Sequence, residues 1–471
     1  MTFKPRDYQL AGFADILSAW NAGIRSLLYV LPTGGGKSPL FRMVIEDAVA
    51  RSLNVLVLAH RDNLIRQASD HVATAGIRHG LISPKYPTLG YRVQVASVAS
   101  VLKRRGQFPD PDVIIIDEAH HAAASTYRAI LEAFPHARVL GLTATPRRLD
   151  GRPLGDLFEK MIEGPTMAWL IDEGYLSPYR FFAPPPPAGL ADLRVRGSDY
   201  SEADLSALFD RPKLVGDVVE NYLQIAGMAP ALAFGSSIDH AEHLAGAFAS
   251  AGIRSRALHS AIDPMLSDEY LRSIRDGYLD VLTSCEMIGE GTDITGIAVA
   301  DLDIKTESVT KYLQDIGRAL RPDYGYRSPT TRHERRQAIA DGPKPTAFVI
   351  DHGANYERHG LPSDPRSWSL DGTPGEPTER SALKLCPSCY FMAPVGARRC
   401  PECGAEFERR SRPEAQRGDG SLVEIGTTLE DAIRRGGYSV VQARGIAATL
   451  GFSPEEGERV FEALRITSLS V

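Results

Sequence analysis

What the chain lacks narrows it first. It has no run of about 18 apolar residues, which excludes a membrane-spanning helix. Its start, Met1-Thr-Phe-Lys-Pro-Arg6, has no apolar core of the kind a secretory leader needs, so a cytoplasmic setting is expected. Cysteine is scarce, five in 471 residues, and four of the five fall between positions 386 and 403. That is not a disulfide framework; the clustering points to a metal in a reducing compartment. Positive charge is not in excess, because 53 Lys and Arg stand against 59 Asp and Glu, a formal net charge of −6. A globally basic coat for nucleic acid is thereby excluded, whereas a local basic groove is not. With 43% hydrophobic and 24% charged residues, extensive disorder is excluded too.

The length implies roughly three domains. Short β-branched and leucine-rich runs at 26–31, 54–59, 92–97, 113–116 and 138–142 alternate with helical patterns such as 39–51 and 61–75. This rhythm predicts an α/β fold, a parallel sheet with helices on both faces, over residues 1–180. Ala183-Pro-Pro-Pro-Pro-Ala188 can join neither a ladder nor a helix interior, so 181–210 is expected to be a connector. The α/β rhythm returns over 211–361, with strands expected at 231–235, 254–258, 280–283, 299–304 and 347–350. Two tandem α/β domains with a cleft between them follow. A linker at 362–384, a small cysteine-rich ribbon at 385–408 and a small helical region at 425–471 complete the expected order.

Leu31-Pro-Thr-Gly-Gly-Gly-Lys-Ser38 lies between a strand and a helix. In such a loop the backbone N–H groups of Thr33, Gly34, Gly35 and Gly36 can close around phosphate oxygens. Lys37 can neutralise the β and γ phosphates, and Ser38 can ligate Mg²⁺. Val113-Ile-Ile-Ile-Asp-Glu-Ala-His120 is an apolar strand ending in two carboxylates. Asp117 is placed to hold Mg²⁺, and Glu118 to orient an attacking water as general base. Gln314, Arg318 and Arg321 fall in a helical pattern, and two arginines three apart share a face. Across a cleft they can reach a γ-phosphate as arginine fingers, an effect of ~10³–10⁵ in rate.

The phosphate loop together with Asp117-Glu-Ala-His120 resembles the DEAH-type ATPases of helicase superfamily 2, whose domains are RecA-like. The other motifs follow in family order. Arg6-Asp-Tyr-Gln9 resembles the adenine-reading segment, with Gln9 facing the base. Ala59-His-Arg-Asp-Asn-Leu-Ile-Arg-Gln67 resembles the first strand-contacting motif. Leu142-Thr-Ala-Thr-Pro146 resembles the segment that couples hydrolysis to strand movement, which implies coupling roles for His120, Thr143 and Thr145. Gly289-Glu-Gly-Thr-Asp293 and Gln314-Asp-Ile-Gly-Arg-Ala-Leu-Arg321 resemble the last two motifs, implying nucleotide contacts for Gly291 and Asp293. Within the superfamily the chain is similar to the phage-encoded and RadD-like branch. The resemblance implies ATP with Mg²⁺, and a motor that moves along DNA and unwinds or remodels it in repair, recombination or phage replication; RNA stays open. A duplex translocase that separates no strands, or an ATP-switched DNA-binding component of a repair or defence complex, are the other readings. Candidates for strand contact are His60, Arg61, Ser97, Thr143, Ser236 and Ser237. Four positions depart from the common pattern: Leu31 replaces the first loop glycine, Asp315 stands where many members carry arginine, Cys285 replaces a common threonine, and Glu290 replaces a common arginine.

Cys386-Pro-Ser-Cys389 and Cys400-Pro-Glu-Cys403 are two knuckles whose four thiolates suit a closed tetrahedral Zn²⁺ site. Arginines and lysines outnumber acidic residues around them, so the ribbon can grip nucleic acid or dock a protein. The acidic last helix of the C-terminal region favours a protein contact over a DNA groove.

Overall fold

The apolar runs pair as parallel strands in a computed structural model. It describes residues 4–407 apart from 60–61, 84–86, 122–123, 148–152, 197–198, 286–293, 295 and 372–376. The helical region expected at 425–471 lies outside these residues. In the first sheet, β1 (Ser26–Val30), β2 (Val55–Ala59), β3 (His79–Ile82), β4 (Val93–Ser97), β5 (Val113–Ile116), β6 (Arg138–Thr143) and β7 (Lys160–Glu163) run in the order β3-β4-β2-β5-β6-β1-β7. Every neighbouring pair is parallel. Strands β1, β2, β4 and β5 are buried along their whole length, as helices on both faces of a parallel sheet require.

The chain then forms β8 (Tyr179–Phe182), a small antiparallel pair β9 (Val195–Arg196) and β10 (Asp199–Tyr200), and the strands β11 (Ala231–Phe234), β12 (Ser255–Leu258), β13 (Val281–Ser284), β14 (Val299–Leu302) and β15 (Ala347–Asp351). The second sheet has the order β12-β13-β11-β14-β15-β8, again parallel throughout. Two tandem parallel-sheet domains are therefore present, as expected. The boundary at 180 needs correction: it cuts β8, whose backbone pairs with β15 and so belongs to the second domain.

One further boundary differs, and so does the character of the linker. Strand β16 (Leu383–Leu385) pairs with β17 (Met392–Pro394), so the ribbon begins inside the segment expected to be linker. On both sides of residues 372–376 that segment is anchored by side chains. Arg366 Nη2 donates to His359 O at 2.6 Å, and Asp364 accepts from Ser381 Oγ at 2.6 Å. Trp368 packs against the apolar cluster of the first domain that holds Leu154 and Phe158, and Gly155 N donates to Leu370 O at 2.9 Å. One cluster of buried apolar side chains runs through both domains, including Leu27 and Leu142 of the first and Leu232 and Leu302 of the second.

Candidate functional site

The phosphate loop leaves β1 at its carboxyl end, the edge at which parallel sheets bind ligands. Gly34 (φ +79°) and Gly36 (φ +87°) sit in the left-handed region, which lets the loop fold back on itself before the helix Lys37–Ala50 begins at Gly36. A side chain at Gly36 is also excluded by Gln9, whose Nε2 lies 2.4 Å from the Cβ position. The loop is buttressed from behind. Tyr8 OH donates to Gly35 O at 2.5 Å, and Gln9 Nε2 donates to Gly36 O at 3.1 Å while its Oε1 accepts from Arg6 N at 2.9 Å.

A cavity of about 370 Å³ opens in front of the loop. The structure brings Thr33, Gly34, Gly36, Lys37, Ser38, Asp117 and Glu118 of the first domain into its wall with Gln314, Arg318 and Arg321 of the second. Lys37 Nζ donates to Glu118 Oε1 at 2.7 Å. Glu118 itself adopts φ +46°, an uncommon backbone state for a non-glycine residue, and its N–H donates to Asp117 Oδ1 at 3.0 Å. Its other oxygen, Oε2, lies 3.4 Å from His120 Nδ1.

From there a buried polar chain leads to the second domain. His120 Nδ1 lies 3.1 Å from Thr143 Oγ1, which donates to Thr145 O at 2.7 Å; Thr145 Oγ1 lies 2.7 Å from Thr310 Oγ1. Thr310 opens the helix Val309–Ala319, capped by Ser308, on which Gln314 and Arg318 are carried. Gly317 of that helix presses on the loop, so that a Cβ there would lie 2.6 Å from Thr33 Cβ. Asp315, the departure from the common arginine, is fully buried; burial raises its pKa, opposed by Lys311 at 3.3 Å and by Arg318. The buried Lys344 caps the helix end by donating to Ala319 O at 2.5 Å and to Arg321 O. Burial pulls its ammonium down to about 7.

Two cavity residues, Tyr175 and Tyr324, carry no sequence signal of their own; they join the half-buried side chain of Arg6, which opens the adenine-reading segment. The Arg6 guanidinium lies 4.6 Å from the centre of the Tyr175 ring, and Tyr8 meets that ring edge-on at 5.1 Å. Only long-range contact reveals such a wall.

The proposed strand-contact residues divide. His60 and Arg61 lie outside the described residues, as do Gly291 and Asp293, which were expected as nucleotide contacts. Ser97 ends β4 and is buried. Ser236 is buried and bonded to His240 Nδ1 through both N–H (3.1 Å) and Oγ (3.0 Å), and Ser237 Oγ accepts from His240 N at 3.1 Å as a helix cap. These two serines have structural partners, and Thr143 is buried within the polar chain.

In the ribbon, the Sγ atoms of Cys386, Cys389, Cys400 and Cys403 all lie within 4.8 Å of one another, with Cys386–Cys403 and Cys389–Cys400 each at 3.7 Å. Four sulfurs at a Zn–S bond of about 2.3 Å form a tetrahedron with edges of roughly 3.8 Å, so the donor set fits. Burial raises the Cys386 thiol, but the N–H groups of Ser388 and Cys389 together with the neighbouring Cys403 and Cys400 thiols bring it down to about 7. The ribbon docks on the edge of the second sheet. Ala183 N donates to Tyr390 O at 2.9 Å, Phe182 meets Phe391 at 5.5 Å, and Arg180 pairs with Glu402. Some of its basic groups are engaged: Lys384 Nζ donates to Ala397 O at 2.5 Å and Arg380 Nη1 to Glu357 O at 2.5 Å.

The family model for the res subunit of type III restriction enzymes matches residues 2–148, and the model for the helicase conserved C-terminal domain matches residues 216–323. These spans hold the two halves of the cavity. The chain belongs to helicase superfamily 2. A 51.5 kDa protein of Lactococcus phage (isolate 7-9) is 28% identical to this helicase over 84% of the chain and 81% of its own length. IRC3 of Saccharomyces cerevisiae, named as an ATP-dependent helicase, is 27% identical over 67% of the chain and 49% of its own. The EcoAI type I restriction endonuclease subunit of Escherichia coli is 26% identical over 69% of the chain and 45% of its own. The helicase thus spans most of the phage protein but about half the length of the other two. A fragment of an HsdR subunit from Vibrio vulnificus YJ016 shares the fold, with a TM-score of 0.56 and 19% identity over 76% of this chain and 65% of that one. Membership makes the enzyme an ATP-dependent helicase-type ATPase with nucleic acid as its partner. Among the described residues no helix is long and apolar enough to cross a membrane.

Proposed function

We propose that this helicase is a nucleic-acid-stimulated ATPase that translocates on DNA and unwinds or remodels it. The observation that supports it is the single cavity in which Lys37 and Glu118 of one domain face Gln314, Arg318 and Arg321 of the other. A triphosphate in the loop competes with Glu118 for the Lys37 ammonium, which releases the Glu118 carboxylate to orient and deprotonate a water. Arg318 and Arg321 then stabilise charge developing on the γ-phosphoryl oxygens. Ser38 and Asp117, which share the cavity wall, are the residues that would hold Mg²⁺; the ion neutralises phosphate charge. The chain Glu118–His120–Thr143–Thr145–Thr310 transmits loss of the γ-phosphate to the domain interface. The ribbon cysteines take Zn²⁺ in a structural role, away from the hydrolytic cavity.

Similarity to the phage protein over most of its length favours a place in phage replication or in DNA repair and recombination. Steady-state ATPase rates on single-stranded, duplex and forked DNA and RNA, paired with strand displacement, test the reading. DNA-stimulated turnover with displacement supports it. Stimulated turnover without displacement marks a duplex translocase, and absence of multiple turnover marks an ATP-switched binding protein.

A further inference from the structure

The helix Arg332–Ala340 belongs to the second domain and carries none of the motif residues. Its start is firmly set: Thr331 and Glu334 form a reciprocal capping pair, and the Thr330 and Thr331 N–H groups draw the Glu334 carboxyl down to about 2. From this helix the guanidinium of Arg335 lies 3.8 Å from the centre of the Tyr175 ring. It is locked there by three donated hydrogen bonds, to Glu173 O at 2.7 Å, Glu173 Oε2 at 3.1 Å and Thr330 O at 2.8 Å. Arg335 is 6% exposed, unlike its neighbours Arg332 and Arg336, which pair with Asp172 in solvent and contribute little. The backbone is fitted to this contact. Gly174 holds φ +72°, its Cβ position lies 3.0 Å from Arg335 Cβ, and Tyr324 OH donates to Gly174 O at 2.5 Å.

Tyr175, Tyr324 and Arg6 wall the nucleotide cavity on the side of the adenine-reading segment, away from the arginines Arg318 and Arg321 in role. We propose that Arg335 is a positioning residue for recognition of the nucleotide base: by holding Tyr175 against Arg6 it makes the base-side wall a joint product of both domains. Base binding and docking of the second domain are then one event. A purine stacked against this wall favours the closed pair, independently of the γ-phosphate. This deepens the nucleotide reading above and rests on it.

Equilibrium binding to the full chain tests it without turnover or DNA. Two probes are used: ADP, which has a base, and inorganic tripolyphosphate, which has none. Arg335→Ala should weaken ADP binding by about three- to thirty-fold, the range of a partly desolvated cation–π contact. Tripolyphosphate binding should stay within twofold, which also shows that the variant is folded. Arg335→Lys, which keeps a cation over the ring, should recover part of the loss. Tyr175→Ala should weaken ADP similarly, and the double variant should be no worse than either single one. Equal loss of ADP and tripolyphosphate, or additive losses in the double variant, would overturn the assignment. ADP binding unchanged in Arg335→Ala removes this inference alone; failure of the wild type to bind ADP removes the nucleotide reading and this one with it.

Discussion

Gly317→Ala tests whether the arrangement seen here, with the two domains pressed together, is the one in which ATP is hydrolysed. Judged by its own helix, the change is favourable, since Ala exceeds Gly by about 1 kcal/mol in a helix interior. At this position the new methyl would sit 2.6 Å from Thr33 Cβ and 2.7 Å from Thr33 Cγ2, closer than any real Cβ contact. Thr33 is β-branched and stiff, and the loop behind it is braced against retreat, because Tyr8 OH donates to Gly35 O and Gln9 Nε2 to Gly36 O. The strain is relieved by moving the helix, and with it Arg318, off the loop. Overpacking of this kind costs about 1–3 kcal/mol. At 1.36 kcal/mol per tenfold, that is a loss of roughly 5- to 150-fold in kcat. Gly246→Ala is the control, since it too lies within a helix (Ile238–Ser250) but has nothing within 4 Å of its Cβ position. Steady-state ATPase with saturating DNA and thermal unfolding should be measured for both. The expected pattern is a higher or unchanged Tm for each, with kcat lost in Gly317→Ala only. A Gly317→Ala enzyme with kcat within twofold of wild type would refute the claim that this closed contact is part of the hydrolytic state.

Glu118→Gln should bind ATP and fail to hydrolyse it, whereas Lys37→Ala should lose turnover and bind triphosphate weakly; near-normal turnover by Glu118→Gln in a single-turnover assay would remove Glu118 as the base. Arg318→Ala and Arg321→Ala should each lower kcat by ~10³ with a much smaller change in nucleotide affinity; kcat unchanged in both would exclude a finger role. Cys400→Ser combined with Cys403→Ser should abolish binding of one zinc per chain, read by elemental analysis. Because Phe182 is buried under the ribbon, the same variant should destabilise the second domain by about 1.5–3 kcal/mol, seen as a lower Tm, with basal ATPase largely kept at low temperature. An unchanged Tm would mean that the ribbon does not hold that edge.

The central strands and the chemistry-bearing loops were legible because both leave local signals. Strands β1, β2, β5 and β11 read as continuous apolar runs, and the loop Gly34–Ser38 and Asp117–Glu118 are defined by residue type and spacing. In the two main sheets the strands that escaped, β3, β7 and β8, are all edge strands, and of the four edges only β12 was read. With one neighbour and a partly solvated face, they show mixed burial and no apolar run that a sequence reader can count. The connector and linker were misjudged for a related reason. Proline and glycine mark them as irregular, and irregular segments can still be anchored, as Asp364, Arg366 and Trp368 are. Tyr175, Arg335 and Lys344 stayed hidden because their partners lie far off in the chain: Arg335 meets Glu173 across 162 positions.

The anchored segment after the second domain changes how the pair of domains can open. The chain crosses between them once on the way to β8 and returns over the first domain at Trp368 and Leu370, where Gly155 N holds Leu370 O. A body joined to another at one point can swing and twist in any direction. Joined at two separated points, it turns about the line through them, like a door on a pair of hinges. Two such ties would leave the pair a narrower set of openings than one, which would help bring Arg318 and Arg321 back to the same place beside the phosphate loop.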